Sequence, residues 1–170
     1  MAKNVLSTKR LALREFEPGD APFILELLND PGWIRFIGDR GLRSEAMAEE
    51  YIRNVPMKMY ARLGFGLWHV ALAATGEPVG MCGLLKRDSL DDVDLGFALL
   101  ERHRGHGYAR EAAEACRDYG VDVLGLGRIV ALTSPGNEDS AKLLERLGFR
   151  YERMTGPGDD PVKLYAFEAP

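Results

Sequence analysis

The segment that most restricts the fold of this chain is Arg102 to Gly120, RHRGHGYAREAAEACRDYG. It directly follows LGFALL, an apolar run of strand-like length, and it continues into small apolar residues at helical spacing. The first turn of a helix presents amides without partners and a positive dipole end, and glycine lets an anion approach closely. The segment therefore fits a phosphate cradle, although the glycine spacing alone fits a plain tight loop with solvated arginines equally well.

Two common phosphate loops do not match this turn. A nucleoside-triphosphate loop needs Gly-x-x-x-x-Gly-Lys-Ser/Thr, which the sequence does not contain. A dinucleotide fingerprint needs a small residue where Arg110 stands and a parallel sheet around it. The pattern that remains is Arg-x-x-Gly-x-Ala, formed by Arg104, Gly107 and Ala109.

The rest of the chain alternates between helical and strand-like patterns. Alternation with period two predicts a first strand near Lys9 to Phe16. Apolar stripes predict a helix capped by Asp20 and, after a loop containing Pro31, a helix capped by Ser44 and stopped by Pro56. Three short apolar runs then predict an antiparallel meander, and GRIVALT, SPGNEDSAKLLERLGF and the C-terminal segment predict a strand, a helix and a hairpin. We expect one α/β domain over residues 1–170 with a mixed sheet.

Composition argues against several function classes. The 170 residues carry a net charge of -4, so we expect no direct nucleic-acid binding. Cys82 and Cys116 lack the spacing of a metal knuckle or disulfide framework, and His103 and His106 have no third ligand nearby, so we expect no metal. No apolar run is long enough to span a membrane, and the first ten residues lack a signal-peptide core. We therefore expect a cytoplasmic protein without membrane contact.

Two distant motifs together resemble a known superfamily. The glycine turn and NEDSAKLLERLGF, in which Asn137 lies eleven residues before Gly148, are similar to the pyrophosphate and second motifs of the GNAT superfamily of acetyl-CoA-dependent N-acetyltransferases. KRLALREFEPGD, TGEPVGMCGL and DLGFALLERHRGHGYAREA resemble its RimJ/RimL branch, the ribosomal-protein N-terminal acetyltransferases and their small-molecule relatives. The resemblance implies an α+β fold with a mostly antiparallel central sheet, flanked by helices and splayed at the CoA site.

The resemblance also assigns the cofactor site. The strand around Leu99 and Leu100 would pair its backbone with the pantetheine arm, and Asn137 would be a further pantetheine ligand, a role that can coexist with a plain helix cap. Arg102, Arg104 or Arg110 would add charge-assisted contacts to the pyrophosphate. The backbone amides that would hold the pyrophosphate belong to Arg104, Gly105, His106, Gly107, Tyr108 and Ala109.

The proton donor for the departing thiolate is a second expectation from the resemblance. Much of the superfamily uses a tyrosine seven residues after the asparagine, and this chain has Leu144 there. The RimL-like pattern has a serine three residues after the asparagine, and Ser140 matches it. Ser140 is therefore the candidate donor, with local capping of the helix as the alternative role.

The candidate general base is Asp94, on the strand that leads to the cofactor. Alternation places it on one strand face with Asp92, where an incoming amine could be met, and solvent-facing carboxylates are the alternative interpretation. A carboxylate has too low a pKa to deprotonate an ammonium unaided, which favours action through water or attraction of the cation. His69 is an outside candidate because its reference pKa suits a base.

The function that these residues predict is transfer of acetyl from acetyl-CoA to a primary amine, either a protein N-terminus or a small molecule. Two other functions stay open. The first is a non-catalytic CoA-binding module, which would keep the phosphate cradle without catalysis and is consistent with Leu144 at the position of the usual tyrosine donor. The second is a protein for a different phosphate ligand, which would prefer ATP to CoA. A homodimer is expected only by analogy with the family, and no residue of the sequence supports it.

Overall fold

The computed structural model describes residues 2–170, in which eight strands form one sheet in the order β1-β2-β3-β4-β5-β6-β8-β7. Every neighbouring pair is antiparallel except β5 and β6, which are parallel. The sheet is therefore mixed and mostly antiparallel, as the sequence predicts. The strands are β1 Asn4–Ser7, β2 Leu11–Arg14, β3 Leu67–Leu72, β4 Pro78–Leu85, β5 Asp94–Leu99, β6 Arg128–Thr133, β7 Arg150–Thr155 and β8 Val162–Glu168.

Helices cover both faces of this sheet and create two apolar cores. Neighbouring residues of β4 enter different cores, because Cys82 packs with Trp68 and Cys116 whereas Met81 packs with Ile24 and Ile52. One core thus lies under α5 and α6, and the other lies under α1 and α3. The helices are α1 Ala21–Leu28, α2 Pro31–Phe36, α3 Glu45–Asn54, α4 Pro56–Leu63, α5 Tyr108–Asp122 and α6 Glu138–Arg146.

The parallel contact between β5 and β6 is limited to the start of β5. Its register contains a single pair, Asp94 with Val130, and the Val130 amide donates to the Val93 carbonyl at 2.9 Å. Beyond Asp94 the two strands have no further register pair within residues 2–170. The central strands therefore part where β5 runs towards the glycine turn.

Local details of the N-terminal half differ from the sequence predictions. The first strand, predicted near Lys9 to Phe16, is shorter, and β1 precedes it as an unpredicted hairpin partner. The Pro31 loop contains the short helix α2, and Pro56 starts α4 after α3 has ended at Asn54. Pro31 and Pro56 can each begin a helix because the first helical position needs no backbone N–H donor.

The predicted cap at Asp20 is also wrong. Its carboxylate makes no cap hydrogen bond in α1 and instead accepts two hydrogen bonds from the Arg14 guanidinium, at 2.7 and 2.8 Å. The Asp20 carboxylate also accepts from the Glu17 amide at 2.9 Å. A half-buried bidentate ion pair to β2 thus replaces the cap of α1, since a fixed guanidinium is the stronger donor.

Candidate functional site

The gap between β5 and β6 exposes the edge of β5. The Leu100 amide donates to the Val79 carbonyl of β4 at 3.0 Å, and alternate residues of a strand point their amides to opposite edges. The amides of Phe97 and Leu99 therefore face away from β4, towards the gap. Neither has a register partner on β6 within residues 2–170. Two spaced donors on a parted strand suit an extended ligand with amide carbonyls.

The glycine turn connects that strand to the start of α5. Gly105 and Gly107 have φ of +82° and +81°, a region that favours glycine. Gly107 is the N-cap of α5 and has no side chain to accept from the first-turn amides. These amides are the unsatisfied donors at the positive end of the helix dipole, so the turn is suited to an anion.

Glu111, in the first turn of α5, does not cap the helix. Its carboxylate accepts from the Thr8 hydroxyl at 2.6 Å, from the Arg10 amide at 2.8 Å and from Arg10 Nε at 2.7 Å. These bonds lower the pKa of Glu111 against the opposing effect of its burial, which would raise it. The only acid in the first turn is thus held by the β1–β2 turn and leaves the amides free.

Two of the predicted phosphate-binding arginines are paired with carboxylates. Arg104 Nη2 donates to Asp30 Oδ1 at 2.5 Å and to the Leu99 carbonyl at 2.9 Å, and Arg102 Nη1 pairs with Glu26. Both guanidinium groups therefore connect the glycine turn to helices of the α1 side. Charge-assisted binding of the pyrophosphate by these two arginines stays a prediction, and their pairing with carboxylates is unfavourable to it. The backbone amides of the turn are still free to bind the pyrophosphate.

Asp30 is the hub of this connection. It is 8% exposed, and it also accepts from the Gly32 amide at 2.9 Å and the Glu101 amide at 3.0 Å. Burial by itself would raise the pKa of Asp30, but the Glu101 amide and the Arg104 guanidinium hold it below its usual value. An ionised carboxylate thus fixes the corner before α2 against the turn.

The second motif forms the opposite wall. The Asn137 side chain accepts from the Ser140 amide at 3.2 Å, so the alternative role of Asn137 as a helix cap is observed. Its role as a pantetheine ligand stays a prediction. Ser140 is half-buried, and its hydroxyl is left free by this cap because only its amide is used. Leu144 is fully buried in the core and presents no polar group.

Two hydroxyls at the end of β6 were missed by the sequence analysis. Thr133 Oγ1 and Ser134 Oγ are buried and have no hydrogen-bond partner within residues 2–170. A buried hydroxyl without a partner is unfavourable, so such groups indicate a polar ligand or water beside them. Their only sequence signal is their place between a β-branched strand and Asn137, which also suits ordinary loop residues.

Asp94 is buried, which contradicts the solvent-facing interpretation. It is 2% exposed, and its Oδ2 accepts from Arg87 Nε at 2.5 Å. Burial raises the pKa of the Asp94 carboxyl, although the Arg87 guanidinium opposes the shift. Asp92 precedes β5 and is paired with Arg128 at 3.0 Å instead of sharing a strand face with Asp94. A raised pKa makes Asp94 a better base than an exposed carboxylate.

His69 lies in an apolar environment and is poorly suited to be a base. It is 2% exposed, packs edge-on against Phe16 and Phe23, and neither ring nitrogen has a hydrogen-bond partner within residues 2–170. Burial lowers the pKa of His69 to about 4. Proton uptake there is unfavourable at neutral pH, so packing is the role that the structure supports.

An open cleft of about 650 Å³ borders the turn on the α1 side. Carboxylates dominate its charged groups, and the Arg102 guanidinium is already paired across it with Glu26. The cleft is lined by Glu26, Asn29, Asp30, Pro31, Leu100, Glu101 and Arg102. Within residues 2–170, no group of three His, Cys, Asp or Glu side chains could hold a metal ion, and no helix is both long and apolar enough to cross a membrane.

A mixed sheet with parted central strands, next to a glycine turn suited to an anion, fits an enzyme whose donor carries a phosphate group and an extended polar arm, as an acyl-CoA does. Residues 10–150 match the acetyltransferase (GNAT) domain family. The chain therefore belongs to the GNAT acetyltransferases, and it is an acetyl-CoA-dependent N-acetyltransferase.

One curated relative and two solved structures illustrate the similarity. An uncharacterized Bacillus subtilis protein, YkkB, is 32% identical over 96% of this chain and 95% of its own length. An acetyltransferase from Agrobacterium tumefaciens superimposes with a TM-score of 0.82 at 29% identity, covering 96% of this chain and 94% of that one. RimL, a ribosomal L7/L12 alpha-N-protein acetyltransferase solved with CoA, has a TM-score of 0.82 at 16% identity over 98% of both chains. The fold is thus shared with RimL, in agreement with the RimJ/RimL resemblance.

Proposed function

We propose that this chain transfers the acetyl group of acetyl-CoA to a primary amine, by direct attack of the amine within a ternary complex. The observation that carries the proposal is the parting of β5 and β6 next to the glycine turn. Acetyl-CoA has an amide-rich arm that matches the free β5 edge and a pyrophosphate that matches the start of α5. The thioester supplies the activated acyl group.

The residues of the gap would share the binding of this donor. The amides of Phe97 and Leu99 would pair with the arm or polarise the thioester carbonyl, and the first-turn amides of α5 would hold the pyrophosphate. The unpartnered hydroxyls of Thr133 and Ser134 support a polar ligand at the opposite wall. The proposed binding of acetyl-CoA thus relies on hydrogen-bond donors for which residues 2–170 provide no acceptor of their own.

Two side chains would manage the protons. As the amine nitrogen attacks the carbonyl carbon and the C–S bond breaks, the Ser140 hydroxyl would donate a hydrogen bond or proton to the departing sulfur. Asp94, with its raised pKa, would attract the ammonium form and accept its proton through water. The Arg87 guanidinium opposes the effect of burial and favours the ionised form of this carboxylate.

The acceptor is a primary amine on a protein N-terminus or on a small molecule. The net charge of -4 and the carboxylate-rich cleft beside the turn support a cationic acceptor. RimL acts on a protein N-terminus, as its name states, and that acceptor class is included in the proposal.

The test is release of free CoA thiol with a panel of N-terminal peptides, polyamines and amino acids. Ser140→Ala should lower kcat about 100-fold or more while KM for acetyl-CoA changes little, because the lost group acts on the leaving sulfur. Ser89→Ala is the matched control, since Ser89 is exposed on the turn between β4 and β5. Equal kcat in both variants would remove Ser140 from the mechanism.

A further inference from the structure

The turn between β1 and β2 reaches the glycine turn from outside both family motifs. Thr8 and Arg10 bind the same Glu111 carboxylate, and Arg10 Nη1 also donates to the His106 carbonyl at 2.9 Å. The Arg10 guanidinium carbon lies 4.6 Å from the centre of the Tyr108 ring. Arg10 thus touches three successive parts of the turn and helix: the His106 carbonyl, the Tyr108 ring and the Glu111 carboxylate.

The bond to His106 controls the direction of one peptide group. In a trans peptide the carbonyl and the following N–H point in opposite directions. When Arg10 fixes the His106 carbonyl on its own side, the Gly107 amide must point to the other side of the turn. Gly107 tolerates many backbone conformations, so the sequence of the turn alone does not fix this direction.

The guanidinium is itself held in place. Its Nε is fixed by Glu111 at 2.7 Å, and its Nη2 lies 3.3 Å from the position that a β-carbon on Gly107 would take. Arg102, and Arg104 of the Arg-x-x-Gly-x-Ala motif, pair instead with Glu26 and Asp30, and within residues 2–170 neither bonds to a carbonyl of the turn. Arg10 is therefore the arginine placed to set the backbone of the cradle.

We propose that Arg10 is a positioning residue for the cofactor pyrophosphate: by holding the His106 carbonyl, it turns the Gly107 amide into the anion site. The inference rests on the proposed acetyl-CoA site and adds the β1–β2 turn to it. Because Arg10 acts on the pyrophosphate cradle, its loss should weaken CoA and dephospho-CoA alike, since both carry the pyrophosphate.

The test is isothermal titration of the full chain with CoA and with dephospho-CoA. Arg10→Ala should weaken binding of both about tenfold or more, and Arg10→Lys should lie between Arg10→Ala and the wild type. Thr8→Val is the matched variant, because it removes an anchor to Glu111 and leaves the bond to His106. A merely structural role would affect Thr8→Val and Arg10→Ala similarly, whereas the proposal expects Thr8→Val to stay within about threefold of the wild type.

The outcomes separate this inference from the proposed function. Wild-type protein that fails to bind CoA would overturn the proposed function, and the inference with it. Wild-type binding with equal affinities in Arg10→Ala and Thr8→Val would overturn the inference alone. A loss confined to CoA would show that Arg10 contacts the 3′-phosphate, which also contradicts the proposed positioning of the turn. Thermal unfolding of each variant verifies that the titrated protein is folded.

Discussion

Replacing Asp30 by asparagine tests how strongly the α1–α2 corner is joined to the glycine turn. Asp30→Asn keeps the shape of the side chain but removes the charge that faces Arg104 at 2.5 Å. The new amide nitrogen takes the place of one oxygen, so it confronts either the Glu101 amide or the Gly32 amide with a second donor. The substitution therefore removes one charge-assisted bond and leaves one backbone donor without an acceptor.

The expected cost follows from these two losses. The lost charge interaction contributes about 1.5 kcal/mol, discounted because Arg104 is 42% exposed, and the unsatisfied amide adds about 1 kcal/mol. We expect Asp30→Asn to lower the free energy of unfolding by about 2.5 kcal/mol, which corresponds to about 5–10 °C in Tm for a chain of this length. Arg104→Gln alone should cost about 1.5 kcal/mol, because Asp30 retains its two amide donors.

A double-mutant cycle by urea unfolding separates the pair from its surroundings. The double variant should be about 1.5 kcal/mol more stable than the sum of the single effects predicts, since the same interaction cannot be lost twice. Additive effects within about 0.3 kcal/mol, or a cost of less than 1 kcal/mol for Asp30→Asn, would show that this ion pair does not hold the corner against the turn.

Two further predictions concern the sheet that carries the site. The native pKa of His69, about 4, lies below its unfolded value of about 6.5. Between pH 6.5 and pH 5 the wild type should therefore lose about 1.5 kcal/mol relative to His69→Leu, and equal pH profiles in urea unfolding would contradict this burial. Gly80→Ala should cost about 3 kcal/mol because its β-carbon would overlap the Ala98 carbonyl oxygen, whereas Gly96→Ala, whose nearest neighbour would be a Leu67 methyl at 3.3 Å, should cost less than about 1 kcal/mol. Similar Tm values for the two glycine variants would contradict the close packing of β4 on β5.

The local parts of the site are predictable from the sequence. The apolar run, the two glycines and the small-residue helix follow from periodicity and from the conformations that glycine allows, and β5 and α5 confirm them. The cap at Asn137 is predictable for the same reason, because a cap bonds within a few residues of itself.

The contacts that hold the site together are not predictable in this way. Arg10 and Glu111 are 101 residues apart, and Arg104 and Asp30 are 74 residues apart, so no local pattern relates them. The burial of Asp94 also depends on a tertiary contact, because its ion pair with Arg87 offsets part of the cost of burying a carboxylate. Alternation of apolar and polar residues predicts which side chains share a face of a strand. Which of the two faces is buried is decided by tertiary packing.

The most direct test of the acetyl-CoA site is isothermal titration of the wild type and Gly107→Glu with acetyl-CoA. Gly107 has φ of +81° and caps α5 without a side chain, so glutamate would strain the backbone and place a negative charge at the anion site. We expect micromolar binding by the wild type and no measurable binding by a folded Gly107→Glu variant. Equal affinities would contradict the placement of the pyrophosphate at this turn, and the absence of wild-type binding would contradict the proposed function.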